Sequence, residues 1–129
     1  MYYCILIQLW ITGGFGNPNS GATTTSELVD GSTVTRGPDL PWEFYRHCAT
    51  QFNSTHGILI GGPGNMKGSL IVNLNNFEMS SGPELTGDGR REHVCTKFSH
   101  KNGTNYVVVA GGNDKEAVLY FKSISFHSL

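Results

Sequence analysis

Residues 37–62 read Gly-Pro-Asp-Leu-Pro-Trp-Glu-Phe-Tyr-Arg-His-Cys-Ala-Thr-Gln-Phe-Asn-Ser-Thr-His-Gly-Ile-Leu-Ile-Gly-Gly, and the landmarks of that stretch return further along the chain. Gly82-Pro83 is again followed by an acidic residue and Leu, at Glu84 and Leu85. His93 is then followed by Cys95, Thr96, a polar residue and Phe98, an apolar run, and a second Gly-Gly at 111 and 112. With Gly13-Gly14 there are three such pairs, spaced 48 and then 50 residues apart. A fixed spacing of this size points to a repeat architecture with a unit near fifty residues.

Working outward, the whole chain is glycine-rich and charge-poor. Seventeen glycines in 129 residues and 15% charged residues favour short strands and tight turns over helices. The length suits one ordinary domain. A net charge of −1 without blocks of like charge gives no basis for binding nucleic acid or an anionic membrane. The apolar N-terminus, 1–12, lacks a basic flank and a small-residue cleavage site and runs into Gly13-Gly14, so it reads as a strand rather than a signal peptide. It is too short to span a membrane.

Residues 9–12 end a buried strand, 15–25 form a loop, and 26–30 and 32–36 are short strands joined at Asp30-Gly31. A full four-stranded unit follows, with strands at about 46–52, 57–61, 69–74 and 77–81. A further unit supplies strands at about 93–98, 106–110 and 117–122 and stops short of a fourth. Ile58-Leu59-Ile60 and Tyr106-Val-Val-Val-Ala110 do not alternate, as expected of strands covered on both faces. Sheets of this kind must stack against copies of themselves, and radial stacking into a propeller satisfies that need.

The order Arg-His or Glu-His, apolar strand, Gly-Gly, short strand, Gly-Pro-acidic-Leu resembles the kelch repeat of β-propellers, from about Leu9 to Ser123. The family's usual Trp three residues before Gly-Pro is Val34 in one unit and Met79 in the next, and its usual third-strand Tyr is plain only at Tyr120. No Trp-Asp pair occurs, and the period is too long for the other common propeller repeat. The resemblance implies an all-β, kelch-type propeller fragment of four-stranded antiparallel blades arranged radially and not closed. Residues 1–45 would form a partial blade, 46–85 a complete one and 86–129 another partial one. Such a fragment should expose apolar faces meant for neighbours and self-associate when expressed alone.

Chemical motifs are scarce. Gly62-Pro-Gly64-Asn-Met-Lys-Gly68 has its glycines and lysine misplaced for a phosphate loop and leads into a strand. Neither G-x-S-x-G nor H-E-x-x-H occurs. His47 and His93 occupy equivalent positions in successive units, about one sheet spacing of roughly 10 Å apart, too far to share an ion readily. They read instead as partly buried structural histidines that cap a hairpin or bond a backbone carbonyl, and no metal or other cofactor is implied. The sequons Asn53-Ser-Thr55 and Asn102-Gly-Thr104 each fall in the turn between first and second strands, which makes Asn53 and Asn102 candidate glycosylation sites in a secreted or lumenal protein.

Aligning His47 with His93 sets Cys48 and Cys95 one residue out of step, hence on opposite faces of their own sheets. Opposite faces of adjacent blades can meet, so a Cys48–Cys95 disulfide is expected if these are the facing pair; the alternative, two outward-pointing cysteines, is equally compatible with the alternation. Cys4 is left over. In an up-and-down unit the sequon turns lie at one end. The other end gathers the loop 15–25, the loop 63–68, Trp42-Glu-Phe-Tyr-Arg46 and Asp88-Gly-Arg-Arg91. Trp42, Phe44 and Tyr45 supply rigid apolar area and Arg46, Arg90 and Arg91 forked donors, the residue types of interface hot spots. The expectation is a non-enzymatic protein-binding module whose ligand is a carboxylate-bearing protein or peptide, with missing blades supplied by further repeats or self-association. The alternative is part of a propeller enzyme acting on a sugar or small polar substrate, galactose-oxidase-like or sugar-isomerising.

Overall fold

The computed structural model describes residues 8–16, 21–85, 89–112 and 121–126. Among these there is no helix, and ten strands form three antiparallel sheets, none closed on itself. The strands are β1 (Gln8–Thr12), β2 (Ser26–Asp30), β3 (Thr33–Arg36), β4 (Cys48–Gln51), β5 (His56–Ile60), β6 (Ser69–Asn73), β7 (Met79–Ser81), β8 (Val94–Ser99), β9 (Asn105–Ala110) and β10 (Phe121–Phe126). The chain divides into two compact units, Met1–Tyr45 and Arg46–Leu129.

The first unit holds the sheet β1-β2-β3. Gly31 and Ser32 separate the paired Asp30 and Thr33, and Gly31 has φ 59°, a conformation that costs glycine little at this position of a two-residue hairpin. Leu9, Val29 and Val34 lie side by side across the three strands and share one face. After β3 the Gly-Pro segment folds back. Gly37 donates to the Ser26 carbonyl at 2.8 Å, Ser26 Oγ donates to the Pro38 carbonyl at 2.6 Å, and Leu40 donates to the Thr24 carbonyl at 2.7 Å. Ser26, Leu40 and Phe44 are buried by this arrangement.

The second unit repeats that device almost bond for bond around β6. Gly82 donates to the Ser69 carbonyl at 2.9 Å, Ser69 Oγ to the Pro83 carbonyl at 2.5 Å, and Leu85 to the Lys67 carbonyl at 2.7 Å. The recurrence of Gly-Pro-acidic-Leu therefore has a mechanical cause. Proline offers no N–H, its carbonyl takes the serine hydroxyl, and the following leucine is anchored in the interior.

This unit contains a four-stranded sheet, β4-β5-β6-β7, and a three-stranded sheet, β10-β9-β8. They meet along β4 and β8. Cys48, Phe52, Ile58 and Ile60 from the larger sheet pack with Val107 and Val109 from the smaller, and Leu85 joins them. Each buried side chain of this kind contributes about 1.5–3 kcal/mol over its exposed state. Cys48 and Cys95 are disulfide-bonded with Cα atoms 5.8 Å apart, which makes them the facing pair.

The two apolar runs fare differently. Ile58, Leu59 and Ile60 are all buried, as their unbroken hydrophobicity predicts. In β9 only Val107 and Val109 are fully buried, while Tyr106, Val108 and Ala110 are partly accessible. The expectation of two covered faces is thus corrected for β9: its second face is shared with Val94 and Phe98, which are 69% and 53% exposed. The last strand extends to Phe126 rather than stopping near 122. Residues 1–7 with Cys4, the tip 17–20 of the first loop, Asp88 and Tyr120 lie outside the described residues.

Candidate functional site

Within the second unit the strand directions separate two ends. The β4–β5 turn at 52–55 and the β8–β9 turn at 100–104 lie at one, and Arg46, the loop 61–68 and the segment 89–93 gather at the other. Asparagines build the first end. Asn53 Oδ1 accepts from the Thr55 and His56 amides at 2.8 and 2.7 Å, and Asn102 Oδ1 accepts from the Thr104 amide at 2.9 Å. Both sequon asparagines are therefore turn-forming residues of Asx type, with Asn102 exposed and Asn53 half-buried.

The other end is organised by Gly61-Gly62. Gly61 has φ 68°, and a Cβ there would come within 2.5 Å of the Arg90 carbonyl oxygen and 2.6 Å of His93 Cε1. Gly62 donates to the Arg90 carbonyl at 2.8 Å. The first unit uses the same joint, where Gly14 donates to the Phe44 carbonyl at 2.6 Å and a Cβ on Gly13 would strike that carbonyl. Glycine is thus required twice over, by the left-handed backbone and by the close approach of another segment.

His93 sits behind this joint. Its Nε2 lies 2.9 Å from the Ile60 carbonyl oxygen, an atom that can only accept, so Nε2 carries the proton. Burial holds the His93 imidazole below its ordinary pKa, and the neighbouring Arg90 charge lowers it further against the opposing bonds to the Ile60 and Arg91 backbone. Burial also lowers His47, with a smaller contribution from His93. Both rings are neutral at pH 7. His93 therefore performs the carbonyl-bonding role read from the sequence. Among the described residues no three His, Cys, Asp or Glu side chains cluster as a metal site would need.

The arginines divide by environment. Arg90 is only 4% exposed and its Nη1 donates to the Gly111 carbonyl at 2.7 Å, so it joins the two sheets from inside and is not offered to a ligand. Arg91 is half-buried, with no side-chain partner for its buried Nε. Arg46 is exposed and pairs with Glu92 at 3.2 Å, while the Glu92 amide donates to the Arg46 carbonyl at 2.8 Å. Both residues have positive φ, 51° for Arg46 and 56° for Glu92, uncommon for side chains of this size. They directly precede His47 and His93. Glu92 entered the sequence reading only as the Glu-His landmark of the repeat and not as a partner of Arg46, although its place in the repeat and its opposite charge were available as signals.

In the first unit, Trp42 is half-buried and stacks on Phe44 with ring centroids 5.2 Å apart. Phe44 itself is fully buried and is a packing residue, not a ligand contact. Tyr45 is half-buried and its ring lies 5.3 Å from that of the exposed Phe15. Of the six residues expected to bind a partner, Trp42, Tyr45, Arg46 and Arg91 thus retain surface, and Phe44 and Arg90 do not. No protein-family model matches the chain, and no curated protein matches it significantly.

Proposed function

We propose that this chain is a run of kelch-type propeller blades acting as a non-enzymatic protein-binding module, secreted and glycosylated at Asn53 and Asn102. Its ligand is a protein or peptide bearing carboxylates. It binds at the glycan-free end of the second unit through Arg46 and Arg91, and Trp42 and Tyr45 of the first unit are proposed as further contact residues.

The observation that carries this reading is the Arg46–Glu92 pair. Two charged, exposed, non-glycine residues are held in left-handed backbone at the same place in successive repeats. An exposed ion pair of this kind contributes at most about 1 kcal/mol to stability. A carboxylate of the ligand replaces Glu92 on the Arg46 fork, and Arg91, next to Glu92 in the chain, offers a second fork. The Cys48–Cys95 disulfide suits an oxidising compartment, in keeping with glycosylation.

Selection from a displayed peptide library on the immobilised, disulfide-intact chain tests the proposal. Enriched peptides should carry Asp or Glu. Arg46→Ala, Arg91→Ala and Trp42→Ala should each weaken their capture roughly tenfold or more, and exposed Arg46→Ala should do so while leaving the melting temperature nearly unchanged. Capture that survives all three substitutions, or that fails only when the turns at Asn53 and Asn102 are altered, places the binding surface elsewhere.

A further inference from the structure

The second unit shows how two sheets of this chain fit together. The contributing face of the larger sheet carries Cys48, Phe52, Ile58 and Ile60; the receiving face of the smaller carries Cys95, Val107 and Val109. Strand register extends the comparison to the outer sheets. Val94 pairs with Ala110 and Thr96 with Val108, as Cys48 pairs with Ile60 and Thr50 with Ile58. Phe98 follows in its strand as Phe52 follows in the other. Among the described residues nothing covers the face of β8 and β9 that carries Val94, Phe98, Val108 and Ala110, so it is a contributing face without a receiver there.

The first sheet presents the converse. Leu9 and Ile11 stand four and two residues before Gly13, as Val107 and Val109 stand before Gly111. They occupy a receiving face, which Val29 and Val34 continue across the sheet. Leu9 is 55%, Ile11 45% and Val34 59% exposed. Six large hydrophobic residues are exposed among those described, and five of them, all but Phe15, lie on these two faces.

We propose that the chain associates head to tail with a second copy of itself, the β8–β9 face of one molecule covering the β1–β3 face of the next. The occupant is fixed by complementarity of kind: each copy carries one unused contributing face and one unused receiving face, and the buried contact between β4 and β8 is the template for their union. Glu27 and Arg36 lie across from Ile11 at the edge of the receiving face, where they frame the apolar contact. The contact joins two different patches, so it does not close on itself as a two-fold dimer does, and assembly grows with concentration. It uses neither Arg46 nor Arg91 and stands independently of ligand binding.

Two variants of the full chain test it by sedimentation velocity over a wide concentration range. One carries Val94→Lys with Phe98→Lys, the other Leu9→Lys with Val34→Lys. The unaltered chain should sediment faster as its concentration rises, each variant alone should remain monomeric, and the two variants mixed should form a 1:1 complex through their intact faces. A monomeric unaltered chain, a variant that still associates alone, or a mixture that stays monomeric overturns the proposal. Should either variant fail to fold, hydroxyl-radical footprinting of the unaltered chain decides: Leu9, Ile11, Val94 and Phe98 must lose labelling together as concentration rises. Protection confined to one face, or none, refutes head-to-tail contact.

Discussion

The sheets β4–β7 and β8–β10 are built to the same plan and live in different surroundings. Phe52 and Phe98 hold equivalent places, yet one is 3% and the other 53% exposed. The same holds for the glycine pairs: Gly61 is pressed against Arg90 and His93, whereas among the described residues nothing lies within 4 Å of a Cβ placed on Gly111, although its φ of 72° matches. The difference teaches that the repeat motif prescribes a local shape, and that burial comes only where another segment occupies the joint.

Substitutions at paired positions break or sharpen this comparison, measured as urea unfolding at concentrations where the chain is monomeric. Phe52→Ala should cost about 3–5 kcal/mol as a core truncation, and Phe98→Ala less than about 1 kcal/mol. Equal losses would mean that the two sheets are covered alike. Removing the disulfide with Cys95→Ser should cost roughly 4 kcal/mol, the loop-closure value for a separation of 47 residues. That loss should be accompanied by faster amide exchange in β8 and β9, since the bridge ties β8 to β4.

Gly61→Ala should cost roughly 3 kcal/mol or more, combining left-handed strain with displacement of the Arg90 segment. Gly111→Ala should cost only about 1–2 kcal/mol, the strain alone. Similar values at the two sites would argue that Gly61 is not a joint. Smallest is the effect of acid. His47 and His93 have folded pKa values below their ordinary value near 6.5, so the neutral rings stabilise the fold above that pH. Stability should be level above about pH 7 and decline as pH falls through 6.5 and below. Replacing His93 with Gln should flatten that decline.

Much of the fold was legible because its signals are local. Gly-Gly, Gly-Pro-acidic-Leu and Asp-Gly each mark a backbone event that few other residues permit, and strands β2 to β9 fall within one or two residues of their expected places. Burial was less legible. Tyr106-Val-Val-Val-Ala110 has the composition of a doubly covered strand, but what covers it is decided by distant segments that the run itself does not encode. The site suffered from the same limit. Arg90 and Arg91 are adjacent and chemically identical, and only packing sends one inward to Gly111 and leaves the other half accessible. Cys48 and Cys95 could be placed on opposite faces by alternation, but which faces meet depends on how the sheets stack.

The central claim is that successive repeats stack with β4 against β8, and the Cys48–Cys95 bridge reports that stacking directly. Peptide mapping of the chain, produced in an oxidising compartment and digested without reduction, should recover the peptide around Cys48 joined to the peptide around Cys95. Recovery of either cysteine joined to Cys4, or of both as free thiols, would contradict the stacking.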